Sequence, residues 1–275
     1  MTISPLLIQR AKAFRTKKSL GQNFLVDSDI LHTIKNSLNS PIETNIIEIG
    51  PGIGFLTEIL YKDFKNLNVI DLDKYALDRL DNSNKINIIH ADALHFDFNS
   101  LAKPLTVIGN LPFNVGTLIL MNFLGEIDNP DWKVSNINEM VLMFQLEVAQ
   151  RLTASSSSKA YNALSITAQS KADIEFLFEV PAQAFWPIPK VKAGIIRIKP
   201  KSNNILQTLS EIELKNLKKI IKMAFSTRRK NLKNSLANLF TVQDFENCHI
   251  CYTERAENLD LPDYIELSKY LSQKN

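Results

Sequence analysis

Short runs rich in isoleucine, leucine and valine alternate with stretches of helical periodicity along the first two hundred residues of the chain. Regular alternation of this kind predicts an α/β fold, in which helices cover a mostly parallel sheet. The last two predicted strands are close enough in sequence to pair as a hairpin, so we expect the sheet to end with an antiparallel strand. The seven predicted strands are 45–49, 67–72, 86–90, 105–109, 139–144, 173–180 and 191–198.

The pattern changes at residues 199–204, where the sequence KPKSNN has neither strand nor helix periodicity. Such a stretch is typical of a linker, and the chain beyond it has a helical pattern. We therefore predict a sheet-containing domain over 17–200 and a small all-helical domain over 205–275. A basic tail over 1–16 precedes them.

The composition is that of a globular protein, with 45% hydrophobic and 22% charged residues. A chain of this length and composition can bury a core without disulfides or a structural metal ion. No apolar run approaches the roughly 20 residues that span a bilayer, and no apolar signal-peptide core follows the N-terminal charges. These features predict a cytoplasmic protein.

Positive charge is concentrated in two segments, although the net charge of the whole chain is only +3. Residues 1–26 contain five basic side chains and no acidic one, and residues 215–233 contain eight and none. An acidic body with basic segments near both ends suits a polyanionic partner such as a nucleic acid. Two solvated faces or a flexible tail would produce the same pattern, so charge alone leaves both interpretations open.

A glycine-rich turn directly follows the first predicted strand, in the sequence IIEIGPGIG. Gly50, Gly52 and Gly54 let a ligand approach the backbone closely, which is typical of a nucleotide site. Phe55 stands where a dinucleotide-binding fold has its third glycine, and NAD is therefore disfavoured. Together with Glu48, two residues before the first glycine, this spacing resembles the first motif of class I S-adenosylmethionine methyltransferases.

Acidic residues follow the next two predicted strands. Asp71 ends the second strand, where a carboxylate can accept hydrogen bonds from both ribose hydroxyls of a nucleotide. Asp92 follows the third strand and is a candidate acceptor for an adenine amino group. A single aspartate at a strand end more often caps the next turn, and we expect that structural role for Asp73. The order of glycine turn, Asp71 and Asp92 favours a binding role for the other two.

The tetrapeptide Asn110-Leu111-Pro112-Phe113 follows the fourth predicted strand. It resembles the signature of methyltransferases that act on exocyclic amines. The lone pair of such an amine is delocalised into the ring, so a site must redirect it toward the methyl donor. The Asn110 side-chain oxygen and, by the resemblance, the Leu111 carbonyl would accept the two N–H groups, while Phe113 stacks on the base. The rest of the catalysis is orientation, and no strong general base is required.

Matching runs between residues 17 and 267 resemble the ribosomal RNA adenine N6-dimethyltransferase family. They begin with KKSLGQNFL at 17–25 and include IEIGPGIGFLTE, GNLPFNV, VPAQAFWPIPKV and ERAENLDLPDYIELSKYL. The resemblance implies a Rossmann-like domain with a seven-stranded, mostly parallel sheet and a small all-helical C-terminal domain. It places Asn23, Leu25 and Asn110 against S-adenosylmethionine, and it makes Phe185 a second aromatic wall for the target adenine.

The implied reaction is the transfer of two methyl groups to N6 of each of two adjacent adenosines near the 3′ end of 16S rRNA. The implied partner is the small ribosomal subunit or its precursor, and we expect a monomer. Two alternatives remain open: a macrolide-resistance type of 23S rRNA methyltransferase, and a ribosome-assembly or transcription factor that retains the fold. We expect phosphate contacts from the second basic segment, through Lys222, Arg228, Arg229, Lys230 and Lys233.

Three features fit the family pattern less closely or stand outside it. The family usually has Glu at the position of Asp71, and it commonly has Tyr at that of Phe113. The ribose contact is therefore expected to be shorter or water-mediated, and the stacking face to be retained. Cys248 and Cys251 form a CxxC pair, but no second pair completes a zinc site, so we expect ordinary packing and no metal.

Overall fold

The computed structural model describes residues 3–17, 21–41, 43–80, 86–227 and 229–274. Its strands are β1 Phe24–Leu25, β2 Asn45–Ile49, β3 Asn66–Asp71, β4 Ile86–His90, β5 Leu105–Asn110, β6 Ile137–Gln145, β7 Ala172–Val180, β8 Phe185–Trp186 and β9 Ala193–Pro200. Its α-helices are α1 Pro5–Lys12, α2 Ser28–Asn36, α3 Thr57–Asp63, α4 Lys74–Leu77, α5 Gly116–Leu124, α6 Leu146–Leu152, α7 Ala163–Lys171, α8 Glu211–Ala224, α9 Leu232–Ser235, α10 Val242–Asn247 and α11 Leu261–Lys274. No helix in these described ranges is long and apolar enough to cross a membrane.

Seven strands form one sheet in the order β4-β3-β2-β5-β6-β9-β7. The pairs from β4 through β6 are parallel, and β9 is antiparallel to β6. All seven strands were predicted, with ends within two residues of those observed, and the predicted neighbours β7 and β9 are adjacent in the sheet. The predicted α/β fold with a mostly parallel, seven-stranded sheet is confirmed.

The strand order also shows where a ligand can bind. From β2 the chain runs outward through β3 and β4 on one side, and it then returns to β5 on the other side. The loops at the carboxyl ends of β2 and β5 therefore diverge and leave a crevice, which is the usual ligand site of such sheets. Ile46 and Ile47 of β2 are fully buried, as expected for a strand covered on both faces.

A second sheet of two residues per strand was not predicted. In it β1 pairs with β8, with Phe24 opposite Trp186 and Leu25 opposite Phe185. A two-residue strand is too short to show a period-two pattern, so nothing in the sequence indicated this pairing. It attaches residues 24–25 to the segment that carries Phe185.

The N-terminal segment differs from the basic tail that we predicted over residues 1–16. Its described part contains helix α1, with Pro5 in the first turn and the Ser4 hydroxyl accepting a hydrogen bond from the Leu7 amide. Ala11 and Phe14 are buried in the core, and Arg10 makes an ion pair with Glu58. A charge count indicates a tail, whereas these two apolar side chains fix the segment on the sheet domain.

By its internal contacts the chain forms two compact units, which differ from a simple division near residue 200. The first comprises residues 1–123, 134–149 and 174–200, and the second comprises 124–133, 150–173 and 201–275. Each unit has its own hydrophobic core.

Segment 124–133 joins the second unit for a visible reason. The buried Lys171 ammonium donates hydrogen bonds to the carbonyl oxygens of Leu124, at 2.6 Å, and Asp131, at 3.0 Å. The Trp132 indole N–H donates to the Lys171 carbonyl oxygen at 3.2 Å. Burial lowers the pKa of Lys171 to about 8. A buried lysine inside a helix was not indicated by the sequence, because lysine is ordinarily a surface residue.

Candidate functional site

A cavity of about 310 Å³ lies in the first unit, at the crevice between the β2 and β5 loops. Its walls come from the glycine-rich turn, the ends of β3 and β5, the loop after β4 and residues 21–25. We call residues 21–25 the strap. The predicted residues that line the cavity are Asn23, Leu25, Glu48, Gly50, Gly52, Asp71, Asp92, Asn110, Leu111, Pro112 and Phe113. The other two predicted residues of the site, Gly54 and Phe185, do not line it.

The glycine-rich turn requires glycine because three of its residues have a left-handed backbone conformation. Gly50, Gly52 and Gly54 have φ values of +71°, +55° and +89°. A Cβ atom on Gly52 would lie 2.8 Å from the ring of Phe24, and one on Gly54 would lie 2.6 Å from the Leu80 side chain. Gly54 therefore serves packing behind the turn, while the backbone of Gly50 and Gly52 forms the cavity wall.

Glu48 lies almost fully buried at the floor of the cavity and accepts a hydrogen bond from the Thr57 hydroxyl at 2.6 Å. Burial raises the pKa of Glu48 to about 8, since the Thr57 hydrogen bond only partly offsets the cost of charge and the nearby Asp71 carboxylate adds to it. Most Glu48 side chains are therefore neutral at pH 7. A neutral carboxyl group can both donate and accept a hydrogen bond, which a carboxylate cannot.

Replacing Glu48 by glutamine is expected to remove a pH dependence of stability between about pH 4.5 and pH 8. Because the pKa is raised in the folded state, the stabilising contribution is complete below the unfolded pKa and is lost as the pH rises through the folded one. Glutamine still accepts a hydrogen bond from Thr57 but cannot ionise.

Denaturant unfolding of the ligand-free protein at the two ends of this range tests the prediction. When the pH rises from about 4.5 to about 8, the unfolding free energy of the wild type should fall, relative to that of Glu48→Gln, by on the order of a few kcal/mol. Glu43→Gln, at an exposed carboxylate paired with Lys65, is the matched control and should behave like the wild type. Parallel pH profiles for wild type and Glu48→Gln would show that Glu48 is ionised.

Asp71 reaches the cavity from the end of β3, as predicted. Its carboxylate accepts a backbone hydrogen bond from Asp73 at 2.9 Å and further ones from Gly52 and Leu72. Burial raises the pKa of Asp71, and these three N–H groups oppose the rise. The Asp71 side chain is thus held against the backbone that follows it, at Leu72 and Asp73, and against the glycine-rich turn.

Asp92 lies at the cavity wall after β4 and also has the capping role that we weighed against binding. One carboxylate oxygen accepts a hydrogen bond from the Leu94 amide at 2.9 Å, and the other lies 3.0 Å from Nδ1 of His95. The carboxylate is about one-third exposed, so a ligand can still approach it.

The Asn110 side chain is oriented by the strap. Its Nδ2 atom donates a hydrogen bond to the backbone carbonyl oxygen of Asn23 at 3.1 Å. This hydrogen bond uses one of the two Nδ2 hydrogens and fixes the end of the amide that faces the strap. The Asn110 backbone carbonyl lies 3.3 Å from the position that a Cβ on Gly50 would occupy, so the two loops meet closely at this end of the cavity.

The remaining residues of the tetrapeptide differ in exposure. Leu111 is buried, whereas Phe113 is half-buried at the cavity and packs on the core of the first unit. The ring of Phe113 is therefore in place to stack on a base.

Phe185, the predicted second aromatic wall, does not line the cavity, and its stacking role stays a prediction. The side chain is only 1% exposed and belongs to the core of the first unit. Pairing of β8 with β1 directs Phe185 inward beside Leu25, while the neighbouring Trp186 ring is half-buried, with Nζ of Lys12 at 5.0 Å from its centre. A ring buried in this way offers no face to a base in this structure.

The second basic segment, over 215–233, begins in helix α8 and ends in helix α9, with a turn before α9. Helix α8 ends at Ala224, and Arg229 and Lys230 lie in the turn before α9. Arg228 lies outside the described residues. The side chains of Lys222, Arg229, Lys230 and Lys233 are exposed, and Lys233 places its ammonium 5.7 Å from the Tyr252 ring centre.

The two cysteines show no arrangement for chemistry. Cys248 is buried, which raises the pKa of its thiol to about 11, and Cys251 is exposed beside the Thr253 hydroxyl. Within the part of the chain that the structure describes, no group of three His, Cys, Asp or Glu side chains is placed to hold a metal ion.

Sequence reasoning missed how the strap is held. The side chain of Asp73 is fully buried and accepts hydrogen bonds from Nζ of Lys17 at 2.7 Å and from Nε2 of Gln22 at 2.8 Å. Phe24 packs against Gly52, so it too fixes the strap on the glycine turn. The sequence indicates a structural role for Asp73 but not its partners, which lie more than fifty positions away.

Comparison with known proteins identifies the family of the chain. The sequence model of the ribosomal RNA adenine dimethylase family matches residues 13–273. Ribosomal RNA small subunit methyltransferase A of Psychromonas ingrahamii is 38% identical over 262 residues, covering 93% of each chain. The protein of the same name from Buchnera aphidicola is 40% identical over 268 residues, which are 95% of this chain and 99% of the relative.

A solved structure shares the fold. The dimethyladenosine transferase from Plasmodium falciparum superposes with a TM-score of 0.75 at 20% identity, covering 90% of this chain and 97% of that one. The glycine cradle, the carboxylates and the Asn110 amide fit a nucleoside-containing methyl donor. The chain therefore belongs to the ribosomal RNA adenine dimethylase family, and it is an enzyme that transfers methyl groups from S-adenosylmethionine to adenines of ribosomal RNA.

Proposed function

We propose that this enzyme dimethylates N6 of two adjacent adenosines near the 3′ end of 16S rRNA, in the small ribosomal subunit or its precursor. The names and near-complete coverage of the relatives support the choice of subunit. The single observation that carries the proposed chemistry is the Asn110 amide at the cavity wall, whose nitrogen is held by the Asn23 carbonyl of the strap. We further propose a monomer that acts in the cytoplasm.

Bound S-adenosylmethionine supplies a methyl group on a sulfonium, which is an activated donor. The protein then has to hold the adenine amine in line with that methyl group. The Asn110 side-chain oxygen and the Leu111 carbonyl accept the two N6 hydrogens, which makes the nitrogen more pyramidal and aims its lone pair. Phe113 stacks on the base and replaces stacking lost in the RNA, worth about 1 to 3 kcal/mol. The proton that the nitrogen loses after each transfer passes to solvent.

The second transfer to the same nitrogen imposes a further requirement. A monomethylated amine keeps one N–H group, so only one of the two acceptors is used. The pocket must admit the first methyl group while the remaining hydrogen bond still directs the lone pair.

Residues around the cavity supply the proposed cofactor contacts. Gly50 and Gly52 let the backbone approach the donor, and Asp71 and Asp92 lie where acceptors for the ribose and the adenine amine are needed. Glu48 lines the cavity, where the Thr57 hydroxyl holds its carboxyl group, and Gly54 keeps the turn in shape behind this wall. From the strap and the β5 end come Asn23, Leu25 and Asn110. Since Phe185 is buried beside Leu25, we assign it the support of β1.

We propose a methyltransferase domain over 17–200 and a helical domain over 205–275, with RNA phosphates bound by exposed lysine and arginine side chains. The proposed set is Lys222, Arg228, Arg229, Lys230 and Lys233. The four of these that the structure describes are exposed to solvent.

Reversing two of these charges should weaken RNA binding and flatten its dependence on salt. In Arg229→Glu/Lys230→Glu, each lost phosphate contact lowers the slope of log affinity against log salt by about 1. Filter binding of small-subunit RNA over a range of salt concentrations measures both quantities. Lys269→Glu, at an exposed lysine of α11, is the control and should keep the wild-type slope. Equal slopes in all three proteins would show that the segment is only a solvated surface.

Mapping the modified positions tests the proposed target. N6,N6-dimethyladenosine has no N6 hydrogen and blocks base pairing, so reverse transcription stops one nucleotide before it. Primer extension on small-subunit RNA from cells that lack the modification, after incubation with enzyme and S-adenosylmethionine, should give a new stop at two adjacent adenosines near the 3′ end. The same primer extension is done on large-subunit RNA from these cells. A new stop only in that RNA would assign the enzyme to the macrolide-resistance type.

A further inference from the structure

The strap is held by a small closed network around one buried carboxylate. Asp73 is 1% exposed, and its two carboxylate oxygens separately accept hydrogen bonds from Lys17 and Gln22. The Lys17 amide in turn donates to the Gln22 side-chain oxygen at 2.8 Å. Gln22 is therefore held through both ends of its side-chain amide, and its neighbour in the strap is Asn23.

The same aspartate also touches the opposite wall of the cavity. Its backbone N–H donates to the Asp71 carboxylate, the acid that we assign to the ribose. Asp73 thus connects the strap to the end of β3. The charged groups in contact with it are the Lys17 ammonium, which pairs with its carboxylate, and the Asp71 carboxylate, which accepts its backbone hydrogen bond. Although burial works against ionisation, the hydrogen bonds from Lys17 and Gln22 outweigh it and lower the pKa of Asp73.

The network ends at the group that meets the substrate. The Asn23 carbonyl, one residue after Gln22, accepts the hydrogen bond that sets the Asn110 amide. If that carbonyl moves, the amide can rotate and present its NH₂ group, a donor, to the adenine N–H. Two donors facing each other make no hydrogen bond, so the lone pair would no longer be aimed.

We propose that Asp73 is a positioning residue for methyl transfer. Acting through Gln22 and Lys17, it holds the strap so that Asn23 fixes the Asn110 amide with its oxygen toward the substrate amine. This inference rests on the proposed function of Asn110. It assigns to Asp73 a role beyond capping α4, where it accepts a hydrogen bond from the Tyr75 amide at 3.2 Å.

Asp73→Asn separates the capping of α4 from the holding of the strap. Asparagine is an equally good helix N-cap, but its side chain has one acceptor oxygen, whereas Lys17 and Gln22 need two. We expect the dissociation constant for S-adenosylmethionine to rise about tenfold and kcat on small-subunit RNA to fall about tenfold. The control Asp78→Asn, at an exposed carboxylate at the end of α4, should keep the wild-type dissociation constant and kcat.

Lys17→Met tests whether the network acts as one unit. Lys17 does not line the cavity. Loss of Lys17 after loss of the Asp73 charge should therefore add little, and Lys17→Met/Asp73→Asn should resemble Asp73→Asn alone. If the fold-changes of the two single variants in dissociation constant and kcat multiply in the double variant, the proposal is overturned. Asp73→Asn with wild-type values of both the dissociation constant and kcat, whatever its melting temperature, would also overturn it.

Calorimetry of cofactor binding requires no RNA, which keeps this test apart from that of the proposed function. If the wild type methylates neither ribosomal subunit, the proposed function fails. The dissociation constants of the wild type and Asp73→Asn for the cofactor still test whether the network around Asp73 holds the strap. If the wild type is active on the small subunit, and Asp73→Asn binds the cofactor and turns over like Asp78→Asn, only the proposed positioning role of Asp73 fails.

Discussion

Replacing Asn110 by alanine is expected to lower methyl transfer by on the order of a hundredfold or more, while S-adenosylmethionine binding remains measurable. The variant removes the side-chain oxygen that aims the amine and also the hydrogen bond to the Asn23 carbonyl. The cavity walls that hold the cofactor stay in place, because the glycine turn, Asp71 and Asp92 come from other loops. Single-turnover transfer to RNA and calorimetric titration with the cofactor measure the two effects separately.

Asn68→Ala is the matched control for this variant. Asn68 also donates a side-chain hydrogen bond to a backbone carbonyl, that of Ile46 at 3.0 Å, but it does not line the cavity. It should transfer methyl groups at the wild-type rate. Wild-type turnover in Asn110→Ala would remove the central residue of the proposed mechanism.

Replacing Gly52 by alanine is expected to weaken S-adenosylmethionine binding by about 10- to 100-fold. Strain in a left-handed backbone costs a residue other than glycine about 1 to 3 kcal/mol, and the turn relieves that strain by changing the shape that it presents to the cofactor. A loss of about 1.4 kcal/mol in cofactor binding is a factor of ten in affinity. In addition, the new Cβ would lie 2.8 Å from the ring of Phe24, so the strap would have to move away from the turn.

Gly125→Ala separates backbone strain from the clash. Gly125 has a similar φ of +72°, yet the nearest atom to its Cβ position is 3.5 Å away. This control should lose stability from strain alone and keep the wild-type affinity for the cofactor. Equal affinities for Gly52→Ala and the wild type would place the donor elsewhere than against the glycine turn.

The sheet could be predicted from the sequence because its strands are buried. Strands such as β2, with three isoleucines in five residues, form short apolar runs that no surface segment resembles. The positions of Asp71, Asp92 and Asn110 at one edge follow directly, since the carboxyl ends of parallel strands lie on the same side of the sheet. The family resemblance added chemical roles to residues that the pattern had already brought together.

Features without periodicity could not be predicted. The pairing of β1 with β8 involves two residues from each strand, and it is what buries Phe185. The contacts of Asp73 join residues that are distant in sequence, and no local pattern records them. The turn that carries Arg229 resembles a helix in composition, because lysine and arginine are good helix formers wherever they occur.

Label transfer from S-adenosylmethionine shows which ribosomal subunit the enzyme methylates and what product it forms. Small and large ribosomal subunits from cells that lack the modification are incubated separately with the enzyme, and their RNA is digested to nucleosides for mass spectrometry. The proposed function predicts labelled N6,N6-dimethyladenosine from the small subunit and none from the large one. Label confined to the large subunit, or none in either while the cofactor is bound, would contradict it.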